Sequence, residues 1–137
     1  MSERNELEKA IDYAIETDNC LFYEEAKRWK EVEHAKKVCV FGTGSFFKGY
    51  HHFLNKIDFV CDNNSRIWGT EVCGYKCISP AELSTMEDTI VIIMVSHYRE
   101  IKKQLEKRKI KFFYFGDLFY NVYSDFHKGL WFEKNKE

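Results

Sequence analysis

The sequence predicts an α/β fold: a small Rossmann-like, doubly wound parallel sheet with an N-terminal helical extension. Three observations predict it. Short, nearly continuous apolar runs (Val38–Phe41, Ile57–Cys61, Thr89–Val95, Phe112–Phe115) alternate with helical patterns. Strands that are apolar throughout, not at every second residue, belong to parallel sheets buried on both faces. A glycine turn, Gly42-Thr43-Gly44-Ser45, joins the first run to a helix. An acid, Asp62, closes the second run about 20 residues after Gly42, the spacing of a ribose-binding carboxylate.

Each element has its own signal. Residues 4–36 carry a helical period. Leu7, Ile11, Ala14 and Ile15 share one face, and Phe22, Ala26 and Trp29 form a second stripe. Asp18-Asn19 divides this segment into two helices. Val38–Phe41 is a buried strand, and Ser45–Asn55 a helix. Ile57–Cys61 is a second strand, closed by Asp62-Asn63-Asn64. Glu71–Ile78 turns at Gly74, as a small hairpin or a short strand. Pro80–Leu83 starts a short helix with Ser79 as its cap and proline in the first turn. Thr89–Val95 is the clearest strand. Tyr98–Lys109 is an amphipathic helix with Ile101 and Leu105 inward. Phe112–Phe115 is the last strand, and a helical stretch opens at Asp117. The division is therefore a helical extension (1–36), a Rossmann-like nucleotide-binding unit (37–117) and an aromatic, helical C-terminal tail (118–137).

Composition bounds the function. The 137 residues are 45% hydrophobic and 17% aromatic, enough for a packed core and too apolar for a disordered chain. The chain is long enough for one domain and short for a two-domain enzyme. Net charge is −1, which argues against nucleic acid as the main partner. No apolar run has the length of a transmembrane helix, and the charged N-terminus is no secretory signal. Five cysteines, an odd number, include Cys39 and Cys61 inside apolar runs. This favours reduced thiols in a cytoplasmic protein. Cys73 and Cys77 have a poor spacing for a metal, and no metal site is expected.

The glycine loop carries the chemistry. The first glycine permits a tight turn, and the second lets a phosphate approach the backbone. The following helix start offers free N–H groups. The bland alternative is a turn that only joins strand to helix. Phe47 stands where a third glycine would allow close packing of helix on sheet, which counts against a standard dinucleotide site.

The segments VCVFGTGSFFKGY (Val38–Tyr50), FVCDNNSRIWGTEVCGYKCISPAEL (Phe59–Leu83) and TIVIIMVSHYREIKKQL (Thr89–Leu105) resemble a family of small Rossmann-like domains. These occur in bacterial polysaccharide and glycan biosynthesis proteins, alone or fused to transferases. The chain is also similar to the N-terminal nucleotide-sugar-binding domain of sugar acetyltransferases. The resemblance implies a nucleotide or nucleotide-sugar ligand on Gly42, Thr43, Gly44, Ser45 and Phe46, with Asp62 holding ribose. It implies that Asn63 and Asn64 line the sugar or base side, and that Ile67 and Trp68 flank a flat ring. Ser96 and His97 follow the Thr89–Val95 strand and face the same crevice.

Other residues are weighed on their own chemistry. His97 is the candidate catalytic group, as a general base or phosphate ligand, against the reading of a surface-loop histidine. Tyr98-x3-Lys102 has a short-chain dehydrogenase spacing but lacks that family's serine, so a solvated helix face is the better reading. His51-His52 are adjacent on a helix and point apart. The aromatic tail (Phe119, Tyr120, Tyr123, Phe126, Trp131, Phe132) either packs back on the domain or meets another chain.

The expected function is nucleotide or nucleotide-sugar binding in bacterial surface polysaccharide biosynthesis. The alternatives are an NAD-dependent oxidoreductase-type domain, and a non-enzymatic interaction or regulatory module whose glycine loop is vestigial. The cofactor stays open between a nucleotide sugar and NAD. Partners would be a small nucleotide, with a homo-oligomer or a glycan-biosynthesis enzyme as a protein partner.

Overall fold

A computed structural model describes residues 3–17 and 23–117. Phe22, Cys20 and the aromatic tail after Asp117 lie outside the described residues. The elements are α1 (Glu3–Thr17), α2 (Tyr23–Glu33), β1 (Lys37–Phe41), α3 (Ser45–Tyr50), β2 (Phe59–Cys61), β3 (Glu71–Val72), β4 (Tyr75–Ile78), α4 (Pro80–Leu83), β5 (Thr89–Ile93), α5 (Tyr98–Lys107), β6 (Phe112–Tyr114) and α6 (Phe115–Asp117). The six strands form one sheet in the order β3-β4-β2-β1-β5-β6. All pairings are parallel except the β3–β4 hairpin at one edge. This is the Rossmann-like architecture that the apolar runs predict.

The strands are apolar throughout because both faces are covered. Val38 and Val40 of β1 point to one face, together with Val60, Cys77, Ile92 and Phe113. Cys39 and Phe41 point to the other, with Cys61, Ile78, Val91 and Ile93. The second face is closed by Leu83 of α4 and by Ile101 and Leu105 of α5. The first is closed by Phe47 of α3 and by both N-terminal helices. Leu7, Ala10, Ile11 and Ala14 recur at helical spacing on α1 and are buried. Ala26, Trp29 and Val32 do the same on α2. Trp29 meets the Phe113 ring at 5.6 Å and Phe115 at 6.0 Å. The N-terminal helices thus complete the core on that face.

Several boundaries differ from the sequence pattern. The helix expected over Ser45–Asn55 ends at Tyr50, and His51–Phe53 tightens into a 3-10 turn. That turn seats Phe53 and Leu54 in the core. The second strand begins at Phe59, not Ile57, because Asp58 closes the approach to β1 with its own side chain. Its Oδ2 accepts from Val38 N at 2.7 Å, and its N–H donates to Val38 O at 2.9 Å. The strand expected to reach Val95 stops at Ile93, where the chain passes the glycine loop. Phe115 leaves the last strand and turns inward to meet Phe46 and Phe53, each at 6.3 Å.

Glu71–Ile78 is a hairpin. Cys73 and Gly74 occupy its two-residue turn with φ of 52° and 87°. Two positive φ values define the turn type that matches the twist of paired strands. The second arm, β4, then joins the parallel sheet beside β2. Ser79 caps α4 as its sequence suggests: its Oγ accepts from Glu82 N at 3.1 Å.

Candidate functional site at the carboxyl edge of the sheet

Parallel strands deliver their following loops to one edge of the sheet, and open α/β sheets bind ligands there. The glycine loop leaves β1 at this edge. Gly42 has a φ of 114°, a conformation that side chains disfavour. A Cβ at Gly42 would lie 2.5 Å from Val95 Cγ1 and 2.8 Å from Met94 O. Its N–H donates to Cys61 O at 2.9 Å. Glycine at this position is therefore required by the fold itself.

Gly44 is different. Its φ is −85°, and a Cβ there would meet no atom within 4 Å. The fold does not demand glycine at this point. The space beside it is a cleft of about 140 Å³. Gly44, Ser45 and Phe46 form one wall, and Met94, Val95, Ser96 and His97 form the other. His97 is exposed at the position before α5, and its side chain makes no capping hydrogen bond. Phe46 is half-buried and stands edge-on to Tyr50 at 5.6 Å.

Asp62 is engaged by the chain. Its Oδ2 accepts from Thr43 N at 3.1 Å and from Thr43 Oγ1 at 2.7 Å. Its Oδ1 accepts from Asn64 N at 2.9 Å. Thr43 is 8% exposed, and this carboxylate satisfies its hydroxyl. A carboxylate has about four acceptor sites, so three are used within the protein. Asn63 pairs amide to amide with Gln104 of α5, at 3.0 and 2.9 Å. Asn64 Oδ1 accepts from Arg66 N at 3.1 Å and caps the short turn Ser65–Ile67. Trp68 is 41% exposed, and its Nε1 donates to Asp62 O at 2.7 Å.

The expected residues thus fall into two groups. Gly44, Ser45, Phe46, Ser96 and His97 share the cleft. Asp62, Asn63, Asn64 and Trp68 form a hydrogen-bonded cluster joined to the loop through Thr43. Sequence reading missed Met94 and Val95 as cleft walls and Gln104 as the partner of Asn63. Gln104 carries no local signal, because its role depends on a residue 41 positions away. Phe47 is taken up wholly in the core, against His51 at 4.9 Å and Tyr75 at 6.4 Å. Tyr98 stacks on Tyr114 at 4.0 Å, so its ring serves packing, while Lys102 is exposed.

The three buried thiols Cys39, Cys61 and Cys77 are held neutral. Burial pushes Cys61 from 9.0 up to about 12, helped by the neighbouring Cys77 and Asp62. Burial also raises Cys39 and Cys77. Cys73 is exposed in the hairpin turn while Cys77 is buried in the core. Among the described residues no group of three metal-ligating side chains converges. None of the described helices is long and apolar enough to cross a membrane.

The family model described as C2185-like, N-terminal matches residues 34–112. The chain belongs to this C2185-like N-terminal family. The family region runs from just before β1 into β6 and contains both the glycine loop and the Asp62 cluster. No curated protein matches the chain. Among solved structures, it is similar to RSP, a Rex-family repressor, at 12% identity and a TM-score of 0.44, covering 85% of this chain and 70% of that one. RSP with β-NAD+ and operator DNA gives 11% and 0.42, covering 84% and 67%. RSP with β-NADH gives 12% and 0.40, covering 84% and 71%. At such identities and scores these likenesses assign neither ligand nor activity to this member of the C2185-like N-terminal family.

Proposed function

We propose that this chain is a nucleotide-binding Rossmann-like module whose ligand phosphate rests beside Gly44, at the carboxyl edge of the sheet. Gly44 carries the reading: this chain has glycine where the fold leaves room for a side chain and where a cleft opens. A phosphate needs that room to reach backbone N–H groups. The following helix α3 has only six residues, so the loop amides and not a long dipole would hold the anion. Ser45, Ser96 and His97 supply polar groups on the cleft walls, with His97 as the candidate proton carrier. Trp68 offers a flat, half-exposed face next to Asp62. A nucleotide sugar is the finer reading, in bacterial surface polysaccharide synthesis, with a second copy or a glycan-building enzyme as partner.

One observation favours a second reading. Asp62 already accepts three hydrogen bonds from its own chain, as in a module where the acid braces the loop and does not hold ribose. Such a domain would act by interaction or regulation.

Thermal unfolding against NAD, NADP, UDP-sugars, CDP-sugars and CoA separates the two. A ligand present at 100 times its Kd stabilises the native state by about 2.7 kcal/mol. The first reading expects one nucleotide to raise Tm and Gly44→Val to abolish the rise. If no nucleotide shifts the wild type, the second reading stands.

A further inference from the structure

A hollow larger than the cleft at the glycine loop opens elsewhere among the described residues. It lies at the opposite, amino edge of the sheet and has a volume of about 600 Å³. It forms where β1, β5 and β6 begin and α4 and α5 end. Four cationic residues surround it: Lys36, Arg108, Lys109 and Lys111, against one acid, Asp88. None of the four has a carboxylate within ion-pair distance among the described residues, although the whole chain is nearly balanced at −1. Between them lies an apolar floor of Leu83, Met86, Ile90 and Ile110. Leu83 is fully buried, and the other three are half-buried. Arg108 Nη1 donates to Ser84 Oγ at 2.6 Å. That bond orients the guanidinium and leaves most of its donor fork available.

We infer that this hollow is a second ligand site, for a small organic anion with an apolar or aromatic body. Its volume falls in the range of small-molecule sites. Four cations around a single acid leave an excess of positive charge that repels itself, and an anion relieves that repulsion. The apolar floor cannot reward a bare inorganic anion, so the ligand must bring apolar surface of its own. The site is independent of the glycine loop, from which the length of the sheet separates it.

The test uses the full chain and two matched fluorescent probes: 8-anilinonaphthalene-1-sulfonate, which is anionic, and N-phenyl-1-naphthylamine, its neutral counterpart. The anionic probe should bind saturably, and the neutral one about tenfold more weakly or worse. The double charge reversal Lys109→Glu/Lys111→Glu should cost at least about tenfold in affinity for the anionic probe. Its Tm should not fall below the wild-type value, because both residues are exposed and the change relieves repulsion among the cations. Gly44→Val should leave probe binding unchanged. Equal binding of the two probes would overturn the inference, since the hollow would then be an apolar patch only. Insensitivity to the charge reversal, or loss of binding in Gly44→Val, would overturn it too. If the reversed pair fails to fold, Arg108→Gln, which removes one charge from an exposed position, takes its place with a severalfold loss expected.

Discussion

The two ends of the sheet are built on opposite plans. At the carboxyl edge, polar groups are satisfied by one another: Asp62 by Thr43 and Asn64, Asn63 by Gln104, and Trp68 by a backbone carbonyl. The cleft at this edge, between Gly44–Phe46 and Met94–His97, is small, about 140 Å³. At the amino edge none of the four cations has a carboxylate partner among the described residues, the Arg108 side chain donating to the Ser84 hydroxyl, and the hollow is about 600 Å³. A recognisable motif therefore marks the better-organised end, while unspent charge and volume gather at the end without a motif. Organisation and vacancy are separate properties, and a binding site needs some of each.

The sharpest way to break this contrast is at Gly42. Gly42→Ala puts a Cβ against the Met94 carbonyl and forces a side chain onto a φ of 114°. It should cost about 3 kcal/mol or more in urea unfolding. Gly44→Ala, two residues on, should change stability by less than about 0.5 kcal/mol. Similar costs at the two positions would sink the distinction between a glycine the fold needs and a glycine it does not.

Asp62→Ala comes next. It removes the acceptor for Thr43 N, Thr43 Oγ1 and Asn64 N, and leaves a buried hydroxyl unpaired. We expect about 2 kcal/mol of destabilisation by chemical unfolding. A neutral outcome would mean that the carboxyl edge is less tightly organised than its hydrogen bonds indicate.

Alkaline pH reads the core between the two ends. Cys61 is raised from 9.0 to about 12 by burial first, so the unfolded chain ionises before the native one. Stability should be full below pH 9.0 and fall as pH climbs from there towards about 12. Cys61→Ala should flatten that slope relative to wild type. An unchanged slope in the variant would show that other groups set it.

The smallest effect belongs to the amino edge. Arg108→Ala breaks one exposed hydrogen bond to Ser84 and should stay within about 0.5 kcal/mol of wild type. A larger loss would mean that Arg108 holds α5 to α4, and that the amino edge is braced like the carboxyl edge.

Much of the fold was legible in the residues. Val38–Phe41 followed by Gly42 reads as a strand entering a tight turn, because apolar runs and glycine are local signals. Ser79-Pro80 reads as a helix start for the same reason. The Gly74 turn was legible as a reversal, but not the fate of its second arm. Whether β4 pairs only with β3 or also with β2 depends on Val60 and Cys77 meeting across the sheet. The cleft was half legible. Ser96 and His97 follow from the end of a strand, but the walls at Met94 and Val95 exist because β5 ends two residues earlier than its apolar run.

Within the described residues, local sequence already carried most element types, the double burial of the strands and the position of the glycine loop. These rest on period, turn chemistry and apolar mass, which act over a few residues. Tertiary structure alone decided that Asp62 serves Thr43, that Asn63 closes on Gln104, and that Lys36 and Arg108 share one hollow. Each joins residues far apart in the chain, and only strand order and register bring them together. A side chain's type states what it can bond; the fold decides which partner arrives first.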